Sequence, residues 1–176
     1  LDKVTSGLVI IARNETAAKE FGVLFSNQKI NKYYLALSDK KPKKKQGLIK
    51  GDMIKSRGGG WKLLKEVSNP AVTQLLSFSL VPTKRIYILK PHTGKTHQLR
   101  VVMKSLGAPI IGDGLYSGSA SDRVYLHAYY LKFIFFEVEY VFSCMPNIGK
   151  EFLNIDFERK LYEIGDPSDL DWPQLK

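Results

Sequence analysis

The sequence predicts an α+β fold in which a largely antiparallel, mixed sheet is flanked by a few helices. Segments with the length and composition of strands recur along most of the 176 residues. Helical spacing of apolar residues is confined to two or three short segments. No internal repeat and no long polar linker divides the chain. We therefore expect one domain over residues 1–176, and we expect it to be incomplete at its N-terminus because it begins with Leu1 rather than Met.

The first quarter of the chain contains one predicted helix between two predicted strands. The apolar run at residues 7–13 (GLVIIAR) predicts a buried strand. Asn14 is a favourable N-cap for the helix that follows. The apolar face of this helix comprises Ala17, Phe21, Leu24 and Phe25. Residues 32–38 (KYYLALS) predict an aromatic-rich strand, and the lysine run at residues 39–47 predicts a solvated loop.

The middle and end of the chain add more predicted strands and two helices. Strands are predicted for residues 48–55, 61–67, 71–81 and 85–91, and a hairpin of long strands for residues 123–135 and 137–144. A helix is predicted from Thr96, with Gly107 at its C-terminal end. Its apolar face comprises Leu99, Val102, Met103 and Leu106. A turn-rich segment follows at residues 108–118, and a short amphipathic stretch at residues 150–164 precedes an acidic tail.

The charge balance indicates a polyanionic partner. Lys and Arg number 27 against 17 Asp and Glu, a formal net charge of +10. Nucleic acid is the commonest polyanion, although a basic protein without such a partner is the alternative. No segment combines a basic and an apolar face as a membrane-surface helix does. Cys144 is the only cysteine, which excludes an internal disulfide and agrees with a reducing, cytoplasmic environment. Metal-ligand spacings, a GxSxG motif and a phosphate-binding P-loop are absent from the sequence.

Asp2 and Arg100 are the residues best suited to chemistry. Asp2 precedes a Thr-Ser-Gly turn, where it is either an ordinary turn residue or a catalytic carboxylate on a basic surface. Arg100 lies near the start of a predicted helix, from which it can reach across a cleft to a carboxylate as a bidentate partner. Such a partner fixes the orientation of a carboxylate that acts as a nucleophile or electrostatic stabiliser. The two residues alone do not establish the pairing.

Five motifs in one order change this assessment. They are LDKVTSGL (1–8), NKYYLAL (31–37), HTGKTHQLRVVM (92–103), GAPIIGDGLY (107–116) and RVYLHAYYLKF (123–133). Together they closely resemble the RluA family of pseudouridine synthases, which isomerise uridine to pseudouridine in ribosomal or transfer RNA. The resemblance runs from Leu1 to about Phe133. Two positions depart from the family pattern: the His-Arg pair expected before Leu1 does not precede it, and Val102 stands where a His is usual.

The resemblance implies a fold with a central active-site cleft and a role for each matching residue. Asp2 would be the catalytic carboxylate, Arg100 its partner, and Tyr34 a residue of the pocket beneath the target base. The residues expected to contact the substrate are Thr5, Thr96, His97, Gln98 and Leu126. His127 matches the RxxLHA segment and is expected to form structural hydrogen bonds. We expect RNA as the partner, a monomer, no cofactor, no metal, no DNA and no membrane association.

Three questions stay open at the level of sequence. The carboxylate can attack the sugar C1′ or assist loss of the 2′ proton. Tyr34 can stack on a flipped uracil, or it can take the C5 proton. We favour the second role, which requires a cation such as Arg100 to lower the pKa of the phenol. The rival functions are a catalytically inactive RNA-binding domain of the same fold and an RNA hydrolase, and the latter needs a metal cluster or paired His.

Overall fold

A computed structural model describes residues 1–175 of the chain, and it contains nine strands and three α-helices. The strands are β1 (Ser6–Gly7), β2 (Asn31–Ser38), β3 (Gln46–Gly51), β4 (Met53–Lys55), β5 (Trp61–Leu63), β6 (Ala71–Val81), β7 (Lys84–Pro91), β8 (Leu126–Phe135) and β9 (Val138–Ser143). The helices are α1 (Glu15–Ser26), α2 (Gln98–Ser105) and α3 (Ile155–Ile164). Two short 3-10 segments span Arg57–Gly59 and Gly114–Tyr116.

The strands form one large sheet and one small hairpin. The order in the large sheet is β1-β8-β2-β7-β6-β3, and β9 pairs with β8 on the same side as β1. Only the β1–β8 pair is parallel among these strands, whereas the others are antiparallel. β4 and β5 pair with each other in a separate hairpin. The predicted α+β class with a largely antiparallel, mixed sheet is confirmed.

The core lies on both faces of the central strands. Successive residues Ile86, Tyr87, Ile88 and Leu89 of β7 are all fully buried, and successive side chains of a strand point to opposite faces. Apolar residues of α2 and α3 belong to the same core cluster as those of β2 and β7. This packing holds the central sheet in place. The carboxyl end of β7 and the start of β8, which border the site described below, are parts of this sheet.

Both predicted helices in the first two thirds of the chain are present. Asn14 caps α1 as predicted, because its side chain accepts the backbone N–H of Ala17 at 2.8 Å. α2 begins at Gln98 rather than Thr96, since His97 adopts a left-handed backbone conformation with φ of 57°. Gly107, with φ of +74°, follows the end of α2 as predicted.

Three predicted strands differ from the structure. Residues 8–13 form no strand, and Val9 and Ile11 are exposed, because β9 takes the edge of β8 next to the short β1 pairing. The predicted strand at residues 48–55 is divided at Asp52, whose carboxylate accepts the backbone N–H groups of two later residues. The strand predicted for residues 61–67 ends at residue 63.

Candidate active site

A cavity of about 270 Å³ lies where the N-terminal turn, the start of β2, the β7–α2 connection and the start of β8 meet. Seven of the eight predicted site residues line it, namely Asp2, Thr5, Tyr34, Thr96, His97, Gln98 and Leu126. Arg100, the eighth, lies next to Asp2. Lys32 and Lys95 also line this cavity, which we call the candidate catalytic pocket, so its lining carries positive charge.

The N-terminal turn holds Asp2 at the pocket. The backbone N–H of Thr5 donates to the carbonyl of Asp2 at 2.9 Å, which closes the turn. Gly7 then lies directly against β8: its φ is +106°, and a Cβ atom there would stand 2.2 Å from the carbonyl oxygen of Ala128. Only glycine allows this approach, because every other residue would clash with the neighbouring strand. The Thr-Ser-Gly sequence therefore fixes the turn against β8.

Ser6 anchors the same turn through a chain of hydrogen bonds. Its hydroxyl oxygen lies 2.8 Å from Nδ1 of His127 and accepts Nη2 of Arg123 at 2.6 Å. Nε2 of His127 lies 2.8 Å from the carbonyl oxygen of Cys144, to which it donates. Burial lowers the pKa of His127, the hydrogen bond to the Cys144 carbonyl partly opposes this, and the charge of Arg123 lowers the pKa further, so the ring is neutral at neutral pH. His127 thus has the structural role that we expected.

Arg100 contacts two carboxylates in different ways. Its Nε and Nη2 atoms both donate to Asp113, each at 2.7 Å, in a bidentate pair. Its Nη1 atom lies 3.6 Å from Oδ2 of Asp2, which is an ion pair without a hydrogen bond. The bidentate partner of Arg100 is therefore Asp113, whereas Asp2, the partner implied by the resemblance, forms the longer ion pair. Burial alone would lower the pKa of Arg100, but the hydrogen bonds and charge of Asp113, together with the charge of Asp2, raise it.

Tyr116 covers Arg100 from a third side. The guanidinium of Arg100 lies 4.9 Å from the centre of the Tyr116 ring, a favourable cation–π contact. The Tyr116 hydroxyl lies 2.8 Å from Nδ1 of His97 and accepts the backbone N–H of Trp61 at 3.1 Å. The left-handed conformation of His97 is uncommon for a residue with a Cβ atom, and the Tyr116 hydrogen bond accompanies it. His97 thus reaches both the pocket and the buried side of the site.

The Tyr34 phenol is kept protonated at neutral pH. Burial raises the pKa of Tyr34 to about 12, and the negative charge of Asp2 contributes in the same direction. Our expectation that Arg100 lowers the pKa of this phenol is therefore wrong. In the free protein the phenol can donate a hydrogen bond, whereas its base form is scarce at neutral pH.

The other predicted substrate contacts differ in their accessibility. Leu126 is buried in the pocket wall, whereas Thr96 is exposed at the rim and Thr5 is half-buried. Gln98 is buried, and its side chain bonds to Thr93, to the backbone of residues 72 and 95, and to Thr73. These four hydrogen bonds use the full capacity of the amide, so they position the 93–97 connection. A direct contact of Gln98 with substrate stays a prediction.

Sequence reasoning missed Asp113 and Tyr116 as parts of the site. Both lie in the GAPIIGDGLY motif, which contributed to the family resemblance and was predicted to be turn-rich, but neither residue was assigned a role. A close backbone approach places them: Gly112 has φ of +84°, and a Cβ atom there would stand 1.7 Å from the carbonyl oxygen of Arg123. The glycine before Asp113 was the available signal. A glycine is needed where two backbone segments approach closely, and such an approach holds the neighbouring acidic residue in a defined position.

Neither a metal cluster nor a membrane-spanning helix is found in the described residues. Within residues 1–175, no set of three or more His, Cys, Asp or Glu side chains is arranged to hold a metal ion. No helix in this described part of the chain is long and apolar enough to cross a membrane. The pocket itself offers one partly exposed carboxylate, a neighbouring guanidinium, a phenol and apolar walls.

Comparisons with known proteins assign the chain to a class of RNA-modifying enzyme. A family model described as RNA pseudouridylate synthase matches residues 1–105, which is more than half of the chain. The chain also resembles pseudouridine synthases outside this range, as the relatives below indicate. The chain therefore belongs to the RluA family of RNA pseudouridine synthases, which are isomerases.

Individual relatives support this membership. An uncharacterized RNA pseudouridine synthase from Haemophilus influenzae is 57% identical over 152 residues, covering 85% of this chain and 68% of the relative. The dual-specificity RNA pseudouridine synthase RluA of Salmonella typhi is 34% identical over 140 residues, covering 73% of this chain and 62% of the relative. The structure of human RNA pseudouridylate synthase domain containing 1 superposes with a TM-score of 0.69 at 27% identity, covering 84% of this chain and 66% of that chain.

Proposed function

We propose that this chain converts specific uridines of ribosomal or transfer RNA to pseudouridine, with Asp2 as the catalytic carboxylate. The observation that carries the proposal is the position of Asp2. It lies at the pocket with its side chain 23% exposed, and its Oδ2 atom is 3.6 Å from Arg100. A carboxylate that is both oriented and accessible is what a glycosidic-bond isomerase requires. The basic composition supports an RNA substrate.

The pocket properties support binding of a flipped uridine. An enzyme that acts on a base of a nucleic acid takes that base out of the stack at a cost of a few kcal/mol, and the cavity of about 270 Å³ beside Asp2 offers space for a flipped uridine. Tyr34 and Leu126 offer an aromatic and an aliphatic surface to the base. Lys32 and Lys95 offer positive charge to the phosphates on either side. These contacts offset the cost of base flipping.

The residues of the pocket divide the chemical work. The reaction breaks the bond between N1 of uracil and C1′, turns the base and forms a bond from C5 to C1′. Asp2 either attacks C1′, forming an ester that the base later displaces, or assists loss of the 2′ proton, giving a glycal. Arg100 holds the charge of Asp2 in place during either route. The released C5 proton requires an acceptor, and the protonated Tyr34 phenol does not supply one in the free protein.

An inactive RNA-binding domain of the same fold is the second candidate. Such a domain would need the basic surface but not an oriented carboxylate beside a buried arginine. The geometry of Asp2 and Arg100 therefore favours the enzyme. Residues 1–176 as a single catalytic domain, a monomeric state and a cytoplasmic location stay parts of the proposal. The chain spans 68% and 62% of the two relatives described above, so the activity of the whole protein is part of the proposal as well.

Mapping of pseudouridine in cellular RNA tests the proposal. Cells that lack the complete gene should lose pseudouridine at one or a few positions, and the wild-type gene should restore it. The Asp2→Asn gene should not restore it. Asp171→Asn is the matched control, because Asp171 is exposed and lies in the C-terminal segment away from the pocket. Unchanged pseudouridine in every RNA of the deletion strain would contradict the proposed function.

A further inference from the structure

A second cavity, of about 520 Å³, lies beside the candidate catalytic pocket. The two cavities share a wall, since Gly94, Lys95 and Thr96 line both of them. The rest of the second cavity is formed by the β4–β5 hairpin and by the segment of residues 64–69. Nothing in the catalytic reaction described above uses this space.

The walls of the second cavity are held in place by hydrogen bonds. The backbone of Trp61, which lines the cavity, donates to the hydroxyl of Tyr116, and Tyr116 in turn packs on Arg100. On the opposite wall, Asp52 accepts the backbone N–H groups of Ser68 at 3.1 Å and Asn69 at 2.8 Å. The cavity is therefore preorganised, and one of its walls is connected through Tyr116 to Arg100.

The chemistry of the walls suits a nucleobase better than a phosphate. Trp61 offers an indole ring, on which any base can stack. Asp52 and Glu66 place carboxylates in the wall, which repel a phosphate but can accept hydrogen bonds from the amino groups of a base. Lys55 is exposed, with its ammonium 6.0 Å from the centre of the Trp61 ring, so a cation is available for the backbone outside.

We propose that the second cavity binds a base that neighbours the target uridine in the same RNA strand, stacked on Trp61. This inference rests on the proposed function, because it takes the target uridine to occupy the candidate catalytic pocket. A strand that passes between the two cavities crosses the shared wall at Gly94. A Cβ atom at Gly94 would meet nothing within 4 Å, so the backbone has open space there. Lys95 lies on the same wall to neutralise the connecting phosphate.

Tryptophan fluorescence of the full chain tests this inference directly. The chain has two tryptophans, and Trp172 packs against Tyr33 and Lys90, away from both cavities. Trp172→Phe leaves Trp61 as the only reporter, and Trp61→Phe is the matched control that leaves Trp172. The probe is an end-labelled oligonucleotide with one 5-fluorouridine flanked by adenosines, whose binding is followed independently by anisotropy of the label.

The two variants should respond differently to this oligonucleotide. We expect the emission of Trp61 to be quenched in step with binding, while the emission of Trp172 stays constant. Binding that leaves Trp61 emission unchanged overturns the inference and leaves the proposed function intact. Absence of any binding by either variant contradicts the proposed function, and with it the inference that depends on it.

Kinetics on the mapped substrate give a second, independent test. Trp61→Ala in the complete protein should raise KM by about tenfold or more, as expected for loss of one base-stacking contact, with little change in kcat. Trp61→Phe should restore most of the affinity. An abasic site at the stacked neighbour should raise KM for the wild type and have no further effect on Trp61→Ala. Equal responses of the two proteins to the abasic substrates would overturn the inference.

Discussion

The two carboxylates beside Arg100 lie in different surroundings. Asp113 is 1% exposed and accepts two hydrogen bonds of 2.7 Å from the guanidinium. Asp2 has a side chain that is 23% exposed, faces the pocket, and lies 3.6 Å from the same guanidinium without a hydrogen bond. One arginine therefore joins a fixed, buried carboxylate to an accessible one.

This difference separates the structural role from the chemical role. A bidentate pair with Asp113 holds the guanidinium in one orientation, and Tyr116 covers its face. The remaining Nη1 atom then lies near Asp2 as a positive charge, but it donates no hydrogen bond to the Asp2 carboxylate. Asp2 accepts no hydrogen bond from Arg100, so under the proposed function its lone pairs are available to the sugar. The comparison predicts that changes at Asp113 act mainly on stability, whereas changes at Asp2 act on chemistry.

Substitution of Arg100 should have the largest combined effect. Arg100→Met removes the charge next to Asp2 and leaves Asp113 buried without a partner. We expect the single-turnover rate to fall at least ~10²-fold, on the scale of losing a charge-stabilising donor. The free energy of unfolding should fall by about 3–5 kcal/mol, because a buried charge is left unpaired. Denaturant unfolding and pseudouridine formation measure the two effects.

Arg159→Met, at an exposed position of α3, is the control for Arg100→Met. Arg100→Lys keeps a positive charge but loses the bidentate geometry. It therefore serves as a second, folded variant for the rate measurement if Arg100→Met unfolds. An Arg100→Met protein with wild-type stability and rate would mean that neither carboxylate depends on this arginine.

Substitution of Asp113 should act on stability first. Asp113→Asn keeps the shape but removes the charge that pairs with Arg100, and we expect a loss of about 3 kcal/mol in the free energy of unfolding. At temperatures where the variant is folded, its rate should fall less than that of Asp2→Asn. Thermal and denaturant unfolding measure this, with Asp171→Asn as the exposed control. If Asp113→Asn were as stable as wild type but inactive, the assigned roles of the two carboxylates would be reversed.

The Tyr34→Phe variant tests whether the Tyr34 phenol, next to Asp2, acts as the base that removes the C5 proton. Since the pKa of Tyr34 is about 12, the phenol is protonated at neutral pH, and Tyr34→Phe should keep its rate within about tenfold of wild type. The ratio of the wild-type rate to the variant rate should be the same on RNA with 5-fluorouridine, which has no C5 proton, as on ordinary RNA. A variant that stalls only on ordinary uridine would instead assign proton removal to Tyr34.

The contribution of Tyr34 to the pH dependence of stability should be the smallest effect, and it should appear only at high pH. The pKa of Tyr34 is raised from 10.0 to about 12 in the folded protein. Between these values the unfolded chain has lost a proton that the folded chain still holds, so stability falls as pH rises. Above pH 10 the free energy of unfolding of Tyr34→Phe should fall less steeply with pH than that of wild type. At neutral pH the two curves should run parallel. Parallel curves up to pH 12 would contradict the raised pKa.

Local signals predicted much of the fold, and long-range pairing explains what they missed. Asn14 and the apolar spacing after it were sufficient for α1, because caps and faces are local features. The predicted strand at residues 7–13 does not continue beyond Gly7, since the edge of β8 next to this short pairing is occupied by β9. Sequence patterns report the tendency to form a strand, whereas the partner strand is set by the rest of the chain.

The site was predicted in the same uneven way. The family resemblance led to Asp2 and Arg100, which the structure brings within 3.6 Å of each other. The bidentate partner of Arg100 was missed because Asp113 follows it by 13 residues across a turn, and no periodicity links the two. The pKa of Tyr34 was also missed, since burial and the charge of Asp2 act on it together and neither is visible in the sequence.

The rate and affinity of Asp2→Asn test the central claim most directly. The variant of the complete protein should form no pseudouridine in the mapped RNA, because the amide cannot replace the carboxylate in the chemical step. Its affinity for the same RNA should stay within about tenfold of wild type, since phosphate contacts dominate binding. Its stability should match wild type, because Asp2 makes no hydrogen bond to Arg100. Pseudouridine formation by Asp2→Asn at a rate near that of wild type would contradict the assignment of Asp2 as the catalytic carboxylate.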